Sequence, residues 1–330
     1  MDRRVSGLTL GLLVLLAASA EAGGSFYGTQ PGARPPVEGR ITEWSVPTPQ
    51  FARDPAPAPD GSIWITVMNA DRLARFDPAT RQFKEYDLPR GSRPHGALVD
   101  REGQVWYTGH GNGKMGRLDP ATGKITEYAA PSGGDPHTLV QDGQGIIWFT
   151  VLRGDRIGRL DPRTGQITEY KAVGSPYGIT LDTQGNVWYC AFGGNKLGRL
   201  DPKTGKVTEI GLPRGSTPRR MATAPDGMIW VTLYGSGKLL RVDPATLEMK
   251  EHALPAGSGA GPYAVTVDGA GAVWVNEFSA DTIVRLDPRT GEMRVFKIPT
   301  ANAGVRKMAV DAQGRLWYMG SHSGKLGVIE

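Results

Sequence analysis

From about residue 41 onward, short apolar runs alternate with turn residues, and the pattern recurs with a period near forty. Tryptophan marks the repeat. Trp64, Trp106, Trp148, Trp188, Trp230, Trp274 and Trp317 lie 42, 42, 40, 42, 44 and 43 residues apart. Each follows an aliphatic residue and a short turn that opens on Asp, at Asp60, Asp100, Asp142, Asp182, Asp226, Asp268 and Asp311. Strand-length runs repeated in this way predict an all-β, seven-bladed β-propeller, one four-stranded unit carried around an axis.

Residues 94–128 serve as the type repeat. Pro94 to Val99 reads as a first strand, Gln104 to Thr108 as a second carrying Trp106, Lys114 to Leu118 as a third and Lys124 to Tyr128 as a fourth. Between the third and fourth, Asp119-Pro120-Ala121-Thr122-Gly123 recurs as Asp161 to Gly165, Asp201 to Gly205 and Asp287 to Gly291. Pro presets φ, Asp accepts backbone N–H groups, and Gly takes the left-handed closing position. Two turns end instead in Arg81 and Leu247, which predicts looser or different turns there.

The ends of the pattern predict how the ring closes. Ile41-Thr42-Glu43-Trp44 reads like the fourth strand Ile125-Thr126-Glu127-Tyr128, while Leu326 to Glu330 reads as a third strand with none after it. Residues 41–46 should therefore supply the outer strand of the seventh blade and remove an open edge. One domain is expected over 41–330, preceded by a Gly- and Pro-rich lead at 23–40.

Residues 1–22 read as a secretory signal peptide. Arg3 and Arg4 precede the apolar run Leu8 to Ala18, and Ala20-Glu21-Ala22 offers a small-residue cleavage site. The expectation is a periplasmic or secreted protein, monomeric and with no membrane span in its mature chain, since the run is too short to cross. Cys190 is the only cysteine, so no intramolecular disulfide supports the fold.

Net charge is +5, with basic residues spread over all repeats, as at Arg75, Arg117, Arg159, Arg199, Arg241 and Arg285. Dispersed charge of this kind reads as solvated surface and argues against nucleic acid as a partner. A small-molecule ligand at the channel mouth is the expected partner.

Candidate chemistry collects where first strands begin beside the axis. Around the ring these positions read Ala56, His95, His137, Tyr177, Arg219, Tyr263 and Arg306, polar and variable inside a fixed frame. The ends of second strands add His110, Asn112, Arg153, Asp155, Glu277 and His322. Four of the five histidines fall on this rim; His252 alone is assigned to an outer strand. Asp135 with His95, His110 and His137 on adjacent strands suggests either metal ligation or a base beside a metal.

Arg93-Pro94-His95-Gly96 and Asp135-Pro136-His137, together with strands such as Val105-Trp106-Tyr107-Thr108 and Lys196-Leu197-Gly198-Arg199-Leu200-Asp201, resemble the virginiamycin B lyase (streptogramin lyase) family over about residues 41–330. The resemblance implies a seven-bladed propeller that opens the lactone of type B streptogramins by elimination, with Mg²⁺. It implies His137 as general base, His95 as a substrate contact and Asp135 as a metal ligand. The family's second acidic ligand falls on Leu152, and Asp155, close by in sequence, is the acid available to fill in.

Two readings follow. In one, an exported lyase-like enzyme opens a lactone or ester with His137 as base, a divalent metal, for which Mg²⁺ is the implied choice, at Asp135, and His95, Tyr177, Arg219 and Tyr263 binding substrate. In the other, an envelope propeller binds a ligand or partner without chemistry. A lactonase-type metal hydrolase is disfavoured by the shortage of rim carboxylates.

Overall fold

Among the described residues, 39–330, the computed structural model has seven four-stranded antiparallel sheets arranged as blades around an axis. The expected signal peptide and all but the last two residues of the lead lie outside the described residues. In blade two the strands are Pro94–Val99, Val105–Gly109, Lys114–Leu118 and Ile125–Ala129, within about one residue of the expected bounds. Blade seven holds Val305–Val310, Leu316–Gly320, Lys325–Ile329 and, as its outer strand, Ile41–Ser45. The register runs from Ile41 opposite Ile329 to Ser45 opposite Lys325. Trp44 then packs on Phe76 of blade one and Trp317 of blade seven, with ring centroids 4.9 and 6.1 Å away.

The repeated Asp and Trp are scaffold, in two versions. In five blades an Asp six residues before the Trp accepts its indole N–H, as at Asp100–Trp106 (2.7 Å) and Asp182–Trp188 (2.9 Å). In blades one and five that position is Ala58 and Ala224. There the Asp lies four before the Trp and faces a third-strand arginine, Arg75 at 2.9 Å and Arg241 at 4.0 Å. Four of the six dispersed arginines, Arg117, Arg159, Arg199 and Arg285, lie over their blade's Trp at 5.5–5.9 Å instead of simply solvating the surface.

Packing inside a blade trades volume across strands. Tyr107, Phe149, Tyr189 and Tyr318 follow the blade Trp, and Gly116, Gly158, Gly198 and Gly327 stand opposite them. A Cβ at any of these glycines would run into the facing ring. Where the second-strand residue is Ile65, Val231 or Val275, the opposite residue is Ala74, Leu240 or Val284.

The turns ending in Arg81 and Leu247 are not looser. Arg81 N–H donates to Asp77 O at 2.7 Å and Leu247 N–H to Asp243 O at 2.9 Å, matching Gly123 to Asp119 at 2.8 Å. Both non-glycine residues adopt the left-handed conformation, with φ of 58° and 64°.

Candidate functional site

Every first strand breaks register two residues in; in blade two the shift falls between Pro94 and Ala97. Such a bulge leaves backbone groups without ladder partners. In blades one, two, three and five a threonine two residues after the Trp occupies the gap, where blades four, six and seven have Cys190, Asn276 and Met319. Thr108 Oγ1 accepts from Gly96 N–H at 2.7 Å and lies 2.9 Å from the carbonyl of His137 in the next blade. Thr66, Thr150 and Thr232 reach the carbonyls of His95, Tyr177 and Tyr263 at 3.0 Å, and Asn276 reaches Val305 at 2.9 Å. This belt ties blade to blade and fixes the residues around the axis.

The innermost ring corrects one position. In every blade it lies eleven residues before the Trp, which gives Arg53, not Ala56, in blade one. Ala56 is opposite Trp64, well inside the blade. The ring therefore reads Arg53, His95, His137, Tyr177, Arg219, Tyr263 and Arg306. The next residue along each strand forms a deeper tier that includes Asp54, Thr138, Arg220 and Lys307, all buried. None of Arg53, Asp54, Arg220 and Lys307 stood out in the sequence.

His95 and His137 are brought together, with ring centroids 3.6 Å apart and exposures of 2% and 3%. His110 lies 5.7 Å from each, and Tyr177 4.2 Å from His137. His95 Nδ1 is 3.0 Å from the carbonyl of His137, which can only accept, so Nδ1 carries the proton. His137 Nδ1 is 3.0 Å from Thr138 Oγ1, which also accepts from Arg220 Nη1 at 2.9 Å. Burial pushes both imidazoles well below their usual range, and positive neighbours add to it: Arg53 chiefly for His95 and Arg220 chiefly for His137. Both are neutral at pH 7.

Tyr177 and Tyr263 meet hydroxyl to hydroxyl across the ring. Burial opposes ionisation of Tyr263, but Arg53, Arg220 and Arg306 outweigh it and pull its pKa down to about 8, while burial and Tyr263 push Tyr177 up to about 12. Arg219 lies over four rings, those of Phe192, Tyr234, Tyr263 and Tyr177, at 4.1–5.4 Å.

The outer rim candidates separate by role. Asp155 accepts from Ser175 N–H of the next blade at 2.8 Å, as Asp71 does for Arg93 and Asp281 for Ala303. It is repeating scaffold, with its Oδ1 taken by that backbone N–H. Asn112 donates to Glu127, and Glu277 accepts from Ala256 and Thr282. His322 Nε2 lies 3.1 Å from Arg306, and its Nδ1 3.1 Å from Asn302. His252 packs on Trp230 in an outer strand.

Asp135 is half satisfied by protein groups: its Oδ1 accepts from Arg153 N–H at 2.6 Å, whereas its buried Oδ2 has no hydrogen-bond partner among the described residues and lies 3.5 Å from both His110 Nδ1 and Arg153 Nε. Among the described residues no three His, Cys, Asp or Glu side chains converge as ion ligands would. Mg²⁺ demands several hard oxygen ligands in octahedral array. One carboxylate beside a guanidinium and an imidazole, with Leu152 packed toward the Tyr177 cluster, does not fit that ion.

The model of the Virginiamycin B lyase family matches residues 33–175 and 82–330. The chain belongs to this family. The two matches overlap over 82–175, as a repeat that admits more than one blade register allows. No curated protein matches the sequence. Among solved structures, it is similar to the virginiamycin B lyase of Staphylococcus aureus, with 26% identity, a TM-score of 0.81, and coverage of 88% of this chain and 99% of that one. A streptogramin B lyase structure gives 28%, 0.81, 88% and 97% for the same quantities. A catalytically inactive variant of the Staphylococcus aureus enzyme with quinupristin gives 25%, 0.80, 88% and 99%. Among the described residues of this family member, no helix is long and apolar enough to cross a membrane.

Proposed function

We propose that the channel mouth binds a small lactone or ester and opens it by elimination, with His137 as base. Arg220 donates to Thr138 Oγ1, and the reaction requires the His137 tautomer whose Nδ1–H donates to the same hydroxyl, because that tautomer leaves the basic lone pair on His137 Nε2. That nitrogen removes a proton α to the carbonyl. The C–H electrons become the new double bond, the Cβ–O bond breaks, and its electrons leave on the departing oxygen. Arg220 carries the positive charge nearest the base and offsets the negative charge that develops on the carbonyl oxygen. His95 and Tyr177 flank His137 and orient the ligand, and no step runs through a metal at Asp135.

The observation that carries this reading is the buried, neutral His95–His137 pair on the axial ring. The solved virginiamycin B and streptogramin B lyases share the fold across nearly their whole length. The expected export remains part of the proposal, resting on residues 1–22. The test is incubation of the purified chain with a type B streptogramin and with simpler β-acyloxy esters, followed by mass spectrometry for an elimination product without added water. His137→Ala should abolish product, and loss of a positioned base costs about 10²–10⁴ in rate. Hydrolysis product, or none from any lactone, overturns it.

A second reading, a ligand-binding propeller without chemistry, is favoured by Leu152 in place of an acid. Tight binding of a lactone that is recovered intact would select it.

A further inference from the structure

The mouth carries more positive charge than its own carboxylates balance. Arg53, Arg219 and Arg306 stand on the ring, with Arg220 and Lys307 one tier deeper. Asp54 is the carboxylate among them, 3.5 Å from Arg220, 3.8 Å from Arg53 and 3.9 Å from Lys307. Asp135, in blade three, accepts from the Arg153 backbone N–H and has the Arg153 guanidinium 3.5 Å away.

Arg53 is 5% exposed, yet among the described residues its Nε and Nη2 have no hydrogen-bond partner. Arg219 Nε has none either. Arg306 lies over Phe278, Tyr263 and Phe51 at 5.0–5.4 Å, and Arg53 faces the same Phe51 ring at 5.4 Å. Aromatic faces hold a guanidinium by its flat side and leave the N–H edge for an oxyanion. Buried, unpaired guanidinium N–H groups are costly, and like charges gathered in one cup add to the cost. An anionic ligand removes both.

We propose that Arg53, Arg219 and Arg306 form an oxyanion-binding arc, running around the ring from blade five through blade seven to blade one, that takes the carboxylate or phosphate of a small molecule. The inference rests on the mouth being a ligand site but not on elimination there. It names the substrate class as anionic, with the charged group at the arginines and the remainder lying toward the histidines. Arginine suits this role because its fork meets two oxygens at once.

Isothermal titration of the full chain with citrate, inorganic phosphate and the neutral trimethyl citrate, at constant ionic strength in chloride, tests it. Citrate or phosphate should bind saturably and trimethyl citrate should not; the tighter anion identifies the preferred group. Arg219→Gln, at a half-buried site, and Arg53→Met should each weaken binding about tenfold or more, the size of a lost charge-assisted hydrogen bond. His137→Ala should keep anion binding while losing lactone turnover, so the two proposals fail separately. If neither anion binds beyond the chloride background, or if Arg219→Gln, folded by circular dichroism, binds as the parent does, the arc is not an anion site.

Discussion

His95 and His137, one blade apart, lie with ring centroids 3.6 Å apart and planes tilted by 36°, and the ring nitrogen of the first meets the backbone carbonyl of the second at 3.0 Å. Two imidazoles this close and this buried cannot both be protonated at modest cost, because each cation would meet the other and Arg53 in low dielectric. The pair therefore fixes neutral bases where the proposed reaction needs one.

The first prediction is a loss of stability in mild acid. Folded pKa values lie below the ordinary 6.5, so the unfolded chain binds protons first as pH falls through that value. Stability is complete above about pH 6.5 and declines below it, by up to about 1.4 kcal/mol per pH unit per histidine. Denaturant midpoints between pH 7.5 and 5 should fall, and fall less in His95→Gln/His137→Gln. A midpoint flat with pH, or an NMR midpoint above 6.5 for either ring, contradicts the assignment.

Thr108→Val should loosen the same pair without touching it. The change keeps shape but leaves Gly96 N–H without its acceptor, while the His137 carbonyl loses Thr108 and keeps His95 Nδ1–H. An unsatisfied buried backbone group costs about 1–3 kcal/mol. Thermal unfolding should report the loss, whereas Thr122→Val on the exposed turn should cost far less.

The repeat was legible because its scaffold residues are forced: indole, acceptor and turn must recur in nearly every blade. The polar ring was legible except where a proline misplaced it. Pro precedes His95, His137, Tyr177, Arg219 and Tyr263, and Val305 precedes Arg306, but in blade one the proline is Pro55, which drew the position from Arg53 to Ala56. Counting eleven residues back from each Trp recovers it. The deeper tier was not legible, because a regular strand would turn Asp54, Arg220 and Lys307 to the opposite face from their ring neighbours. The bulge brings both residues to the axis.

The closing strand should be needed for a stable ring. Trp44→Ala removes the ring that joins Phe76 to Trp317. Large-to-small changes of buried aromatics cost about 3–5 kcal/mol, and a half-buried Trp44 should cost about 2. Limited proteolysis should then cut first near Ile41–Ser45. Unchanged melting and cleavage elsewhere would show that closure rests on other contacts.

Arg81→Gly should stabilise the chain. The left-handed conformation at φ 58° costs a non-glycine residue about 1 kcal/mol, and the hydrogen bond to Asp77 survives the change. Glycine's larger unfolded entropy offsets part of this, so the net gain should be below about 1 kcal/mol. A lower melting temperature in Arg81→Gly would mean that its side chain contributes contacts that outweigh the strain.

Tyr263 should titrate near pH 8, ahead of the other tyrosines. Burial alone would raise its pKa, so a lowered value reports the positive field of Arg53, Arg220 and Arg306 together with the Tyr177 hydrogen bond. Phenolate absorbance should show one early-titrating group that Tyr263→Phe removes. Arg306→Met should move its midpoint up toward the ordinary 10, since one of the three cations is gone. The phenolate is itself an anion facing the arginine arc, so it competes with a bound carboxylate or phosphate. Oxyanion affinity should therefore fall as pH rises through about 8 in the parent chain and stay level across that range in Tyr263→Phe. An early tyrosine that persists in Tyr263→Phe would assign the titration to another residue and remove the charge argument from this side of the ring.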